Sequence, residues 1–210
     1  MPALPAGDHT LTLARYTLAA CLLLSPTLAH AQDFGVMESA ETINKGNFKL
    51  KVNPMFILRS DDTQSGLAGA VGYGFTETFD FEANFARYKD VTFVGGNVEY
   101  WLVKGQPPLD LSASVGFHLA KSDFGDQTGV DVTVIASHAA TKKLDVYAAL
   151  DMAFNKSRDN FPNNSYTQAH LVPGLEYKVH PDLDLLAEFG IALNDKANNY
   201  VSFGLAYYIR

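Results

Sequence analysis

Ten acidic residues, Asp80, Glu82, Glu99, Asp110, Asp131, Asp145, Asp151, Glu176, Asp184 and Glu188, fall on the polar side of short alternating segments. Facing the same way are far fewer bases: Lys49, Lys51, Arg59, Lys178 and Arg210. An excess of carboxylates along a wet passage attracts cations and repels anions. Packed into a narrow space, the same groups pair with one another and lock the wall. His118 and His170 sit among these acids and invite acid–base chemistry, but a nucleophile is missing from the pattern. Ser137 precedes His138, and neighbours in a strand point to opposite faces. The chain carries neither a Gly-x-Ser-x-Gly elbow nor a histidine pair at metal-ligand spacing. The expectation is a protein that is not an enzyme and holds no cofactor or metal.

These residues are positioned by ten segments of period-two alternation between Asn47 and Arg210. The last is the clearest: Val201, Phe203, Leu205, Tyr207 and Ile209 alternate with Ser202, Gly204, Ala206, Tyr208 and Arg210. Such a strand has one apolar face and one small or polar face. The other nine repeat the scheme, as where Phe79, Phe81, Ala83 and Phe85 oppose Asp80, Glu82, Asn84 and Ala86. Tight connections (Phe75–Thr78, Lys104–Pro108, Thr141–Lys143, His180–Asp182) alternate with longer polar ones at Arg59–Gly66, Lys121–Gly129 and Asn155–Tyr166. This asymmetry is that of a membrane barrel with short periplasmic turns and longer outer loops.

Alternation alone also fits a soluble barrel with an apolar interior. The polar faces decide, because they are rich in Gly, Ala and Ser, which suit a narrow concave interior better than a water-facing exterior. Aromatic placement agrees. Phe48, Tyr73, Phe75, Phe79, Tyr100, Tyr177 and Tyr207 cluster near one end of the strands, and Phe56, Phe117 and Phe154 near the other. Two such belts mark the two interfaces of a bilayer. The expected fold is therefore all-β, a transmembrane up-and-down antiparallel barrel of about ten strands, within a range of eight to twelve. Asp80, Glu82, Glu99, Asp151, His170, Glu176 and Glu188 would line its lumen.

Residues 1–31 read as an export signal, with Arg15, an apolar core from Tyr16 to Leu28, and Ala29-His30-Ala31 before Gln32. Cys21, the only cysteine, would leave with it; a lipobox-like reading of Leu18–Cys21 fits less well, because the apolar run continues past the cysteine. Residues 32–46 form a short periplasmic lead-in and 47–210 the barrel. No run after residue 31 approaches the roughly 20 apolar residues of a spanning helix. The formal charge of −7 argues against a nucleic-acid partner.

The strand pattern, the Gly-Tyr-Gly-Phe-Thr-Glu run at 72–77 and the final strand resemble the small outer-membrane β-barrel proteins of Gram-negative bacteria, the opacity-like and porin-like group. The resemblance covers about residues 47–210. It implies an outer-membrane location and a C-terminal signal for the insertion machinery, here Phe203, Leu205, Tyr207 and Ile209. The chain departs from the usual aromatic ending, closing Tyr207-Tyr208-Ile209-Arg210. The expected partners are outer-membrane lipid, lipopolysaccharide and that machinery, with the chain a monomer; Asp61, Asp62, Asp123 and Asp126 in the outer loops read as solvated charge in preference to holders of divalent ions that bridge lipopolysaccharide. The leading functional expectation is porin-like passage of ions or small solutes with cation preference. A structural or surface-interaction barrel with a filled lumen is the alternative, and a periplasmic soluble barrel binding an apolar ligand the third reading.

Overall fold

The computed structural model describes residues 34–104, 109–123, 125–158 and 165–210. The export segment 1–31 and Gln32 lie outside the described residues. Ten strands follow one another: β1 (Phe48–Leu58), β2 (Thr63–Gly74), β3 (Phe79–Tyr88), β4 (Val91–Val103) and β5 (Asp110–Ser122), then β6 (Gly125–Ala139), β7 (Leu144–Ser157), β8 (Ser165–His180), β9 (Leu183–Ala192) and β10 (Asn199–Ile209). Each pairs antiparallel with its sequence neighbours. β1 pairs with β10, Phe48 opposite Ile209 and Leu58 opposite Asn199, so the barrel is closed and has no free edge. Its base is the end where β1 begins and β10 finishes; its top is the other end.

The exterior is apolar all the way round. Leu67, Val94, Tyr100, Phe117, Leu193 and Phe203 are each more than half exposed. Water would not tolerate so continuous an apolar surface, and lipid requires it. Near the base Phe48, Tyr73, Phe75 and Phe79 form a continuous chain of rings, with centroids 4.8, 5.1 and 5.9 Å apart. Tyr100, Tyr177 and Tyr207 also face outward.

Strands extend further at the top than the loop-like composition of 121–129 and 155–166 predicts. β5 and β6 stay paired up to Ser122 opposite Gly125, and β7 and β8 up to Lys156 opposite Ser165. The polar residues at 121–122, 125–129, 155–157 and 165–166 are extended backbone whose two faces are both hydrophilic, so the apolar alternation that betrays a strand in lipid is absent. Likewise Arg59–Gly66 shrinks to a turn closed by the Arg59 N–H donating to the Asp62 carbonyl (3.0 Å) before β2 begins.

Inside, three tyrosines lie across glycines on the neighbouring strand: Tyr88 opposite Gly66, Tyr147 opposite Gly174, and Tyr200 opposite Gly190. A Cβ at any of these glycines would fall within the tyrosine ring. The missing side chains are what let large rings lie flat against a tightly curved wall. Gly190→Val is accordingly expected to lower barrel stability by about 1–3 kcal/mol through overpacking. Tyr200→Ala in the same chain should recover part of the loss. A urea midpoint unchanged by Gly190→Val would show that the ring is free to move aside.

Candidate functional site

Residues 34–43 do not hang below the barrel as a lead-in. They run up inside it, and Val36, Met37, Glu38, Ser39, Ala40, Thr42 and Ile43 are all buried. The segment is anchored at the base, where the Gly46 N–H donates to the Gly74 carbonyl (2.8 Å) and the Gly74 N–H to the Asn47 carbonyl (3.1 Å). From there the chain runs, in reverse order, up into the lumen.

Its main-chain donors find partners on the wall. The Ile43 N–H donates to Asp80 Oδ2 (2.6 Å) on β3, and the Ala40 N–H to Ser137 Oγ (3.1 Å) on β6. The Ser39 N–H donates to Glu176 Oε2 (3.1 Å) on β8. Two successive donors, Val36 N (3.2 Å) and Met37 N (2.6 Å), converge on the Glu188 carboxylate of β9. They converge because Gly35 (φ 75°) and Met37 (φ 49°) are left-handed on either side of Val36. Such alternation turns neighbouring N–H groups the same way and makes an anion-binding nest. Gly35 is also needed for space, since a Cβ would collide with Glu188 Oε1. Tyr147 donates its hydroxyl to the same carboxylate (3.0 Å).

One side chain of the segment is charged and deeply buried. Glu38 lies 3.0 Å from Lys49 Nζ and 3.4 Å from Lys51 Nζ, and both lysines also reach Glu82, at 3.0 and 2.9 Å. Two acids and two bases form a neutral quartet, which is how charge survives out of water. Met37 reaches to where a side chain at Gly204 would stand. At the tip the Phe34 carbonyl accepts from Asn53 Nδ2 (3.3 Å), and its ring meets Phe93 edge-on at 6.1 Å.

Above the tip, Met55, Ile57, Tyr88, Phe93 and Tyr200 form a buried apolar layer. The opposite wall carries a polar chain. His118 Nδ1 meets Asp131 (2.9 Å) and Nε2 meets Asn155 Oδ1 (2.9 Å), while Asn155 donates to Gln168 Oε1 (3.0 Å) and Gln168 to the Lys196 carbonyl (3.2 Å). Beside the segment remains a polar cavity of about 60 Å³, bordered by Glu82, Asn97, Asp131, Thr133 and Asp151, room for little more than a few waters. A larger vestibule of about 410 Å³ opens at the base among Glu41, Lys143, Lys178, His180 and Arg210. There Glu41 pairs with Lys178 (3.4 Å); partial burial pushes its carboxyl above the ordinary range, against the pull of that ammonium.

The seven lumen residues named from sequence all point inward, but into different company. Asp80, Glu176 and Glu188 bind the segment's backbone, and Glu82 completes the quartet. Asp151 accepts from Thr133 Oγ1 (2.8 Å). Glu99 lies directly opposite Asp80 in the strand register. His170 holds the Asn198 carbonyl (3.1 Å) and packs edge-on against Tyr200. Of the other groups weighed for chemistry, His138 lies exposed on the outer surface and Ser137 is turned inward to Ala40. Phe203, Leu205, Tyr207 and Ile209 face outward. Sequence reasoning missed Gly35, Met37, Glu38 and the part played by Ser137. The signal available was a stretch of mixed character, bracketed by Gly35 and Gly46 and lacking any strand period.

No protein-family model and no curated protein matches the chain. Several solved structures do. The outer membrane protein Ail of Yersinia pestis is similar at 14% identity and a TM-score of 0.44, over 79% of this chain and 100% of that one. The NanC porin is similar at 8% identity and 0.46, over 75% and 98%. The N-terminal β-barrel domain of Pseudomonas aeruginosa OprF is similar at 12% identity and 0.39, over 80% and 100%.

Proposed function

We propose that this is an integral barrel of a Gram-negative outer membrane, its base toward the periplasm, shut by its own N-terminal segment and working as a structural or surface-interaction barrel. The observation that carries the reading is the anchoring of the main chain of residues 36–43 on inward oxygens from β3, β6, β8 and β9. Asp80, Glu176 and Glu188 are occupied in holding that segment, and the buried apolar layer around Phe93 and Tyr200 lies above its tip. On this reading the protein is monomeric and non-catalytic and needs no cofactor. Its partners are lipid, lipopolysaccharide at the polar strand tops, and the insertion machinery that reads β10; nucleic acid is not among them.

A second reading keeps the cation-preferring pore. Withdrawal of the segment would bare Asp80, Glu176 and Glu188 to water, and an acid-lined passage favours cations. The apolar layer would still have to part. A soluble carrier is disfavoured by the exposed apolar belt and would be recognised by release without detergent.

Conductance of the refolded chain from Gln32 onward in a planar bilayer tests the choice, with folding verified by a heat-dependent gel shift. The expected trace is silent at both polarities. Discrete, cation-preferring steps from the intact chain would overturn the sealed barrel in favour of the pore.

A further inference from the structure

We propose that the base half of the lumen is a sequence-selective peptide-binding site, of which residues 34–43 are the ligand held in cis, so that an equivalent peptide offered from the base displaces them. The proposal rests on the sealed-lumen reading and goes beyond it, because a seal alone need not be exchangeable.

Three observations give the site its ligand class. The contacts to Asp80, Ser137, Glu176 and Glu188 are made to main-chain N–H groups, so they select an extended, kinked peptide backbone rather than an ion or a sugar. The clamp of Lys49 and Lys51 then requires an acidic side chain at the position of Glu38. Finally, the nest over Glu188 requires glycine three residues before that acid, for both its φ and its lack of a Cβ. The ligand is therefore a segment of the form Gly-x-x-Glu, as in Gly35-Val36-Met37-Glu38 of this chain.

The site also has a way in. The vestibule at the base is bordered by Glu41, Thr42 and Asn44 of the segment's own lower end. Below Ile43 the segment is tied to the barrel mainly by backbone contacts around Gly46 and Gly74, a short hinge about which it can leave without disturbing a strand.

The test uses the chain from Gln32 onward with Ser39→Cys, its sole thiol, refolded in detergent and exposed to a maleimide. Ser39 is buried and holds Glu176 through its N–H, which the substitution keeps. Without additive, labelling should be slow. A synthetic peptide of residues 32–46 competes against an effective concentration of the tethered segment on the order of millimolar. At about that concentration it should expose roughly half the thiols and raise the initial labelling at least tenfold. The same peptide with Glu38→Gln or Gly35→Ala should be at least fivefold less effective.

Labelling that does not respond to the peptide, or responds equally to a shuffled one, would overturn the proposal. Thr42→Cys serves as the reporter if Ser39→Cys fails the gel-shift criterion for folding. Failure of the sealed-lumen reading would instead appear as current through the intact chain with no peptide present.

Discussion

Glu188→Ala is expected to free the N-terminal segment while leaving the barrel folded. The carboxylate accepts two buried N–H groups, at 3.2 and 2.6 Å, and the Tyr147 hydroxyl at 3.0 Å. Stripping the acceptor from a buried donor costs about 1–3 kcal/mol each. Even near the low end, about 2 kcal/mol over the segment's two donors raises the opening equilibrium roughly thirtyfold. The strands lose only the Tyr147 contact, because their own ladders do not involve this side chain. Amide hydrogen exchange separates the two. Protection at Val36, Met37, Ser39, Ala40 and Ile43 should collapse together while the β1–β10 seam stays slow. Glu188→Gln, which retains one acceptor oxygen, should fall between. Full protection of Val36 and Met37 in Glu188→Ala would mean that the nest holds nothing in place.

The double substitution Lys49→Met and Lys51→Met should damage the barrel more than any single change in the lumen. It leaves Glu38 and Glu82 buried without their cations, and an uncompensated buried charge costs about 3–5 kcal/mol. The expected result is a large fall in the urea midpoint together with loss of the segment's exchange protection. Adding Glu38→Gln and Glu82→Gln to the same chain removes the stranded charges, and most of the midpoint should return, because a quartet replaced whole is nearly neutral. A quadruple variant as unstable as the double would show that the lysine stems, and not the charges, support β1.

The strands were legible because lipid enforces their pattern. Most outward positions from Phe48 to Ile209 are apolar, and the inward ones answer to a tight curve that favours Gly, Ala and Ser. Where lipid ends, as at Gly125–Gly129, the pattern ends too, and a paired strand reads as a loop. The acids were legible as inward but their use was not. A carboxylate that lines a wet pore and one that grips a main chain have the same neighbours in sequence. What they grip is silent as well: the donors at Val36, Ser39 and Ala40 are backbone N–H groups, which nearly every residue possesses. Beyond the missing strand period, Gly35 and Glu38 are the marks that the segment left at the level of sequence.

The wall groups that hold residues 34–43 come from β1, β3, β6, β8 and β9, strands scattered through the whole length of the barrel. No partial barrel therefore presents the complete seat. Residues 34–43 can find their complete seat only once all of these strands are in place. Their docking is then a report of completion, made by the chain on itself, and a barrel stalled one strand short would be recognisable by a loose beginning rather than by a ragged end.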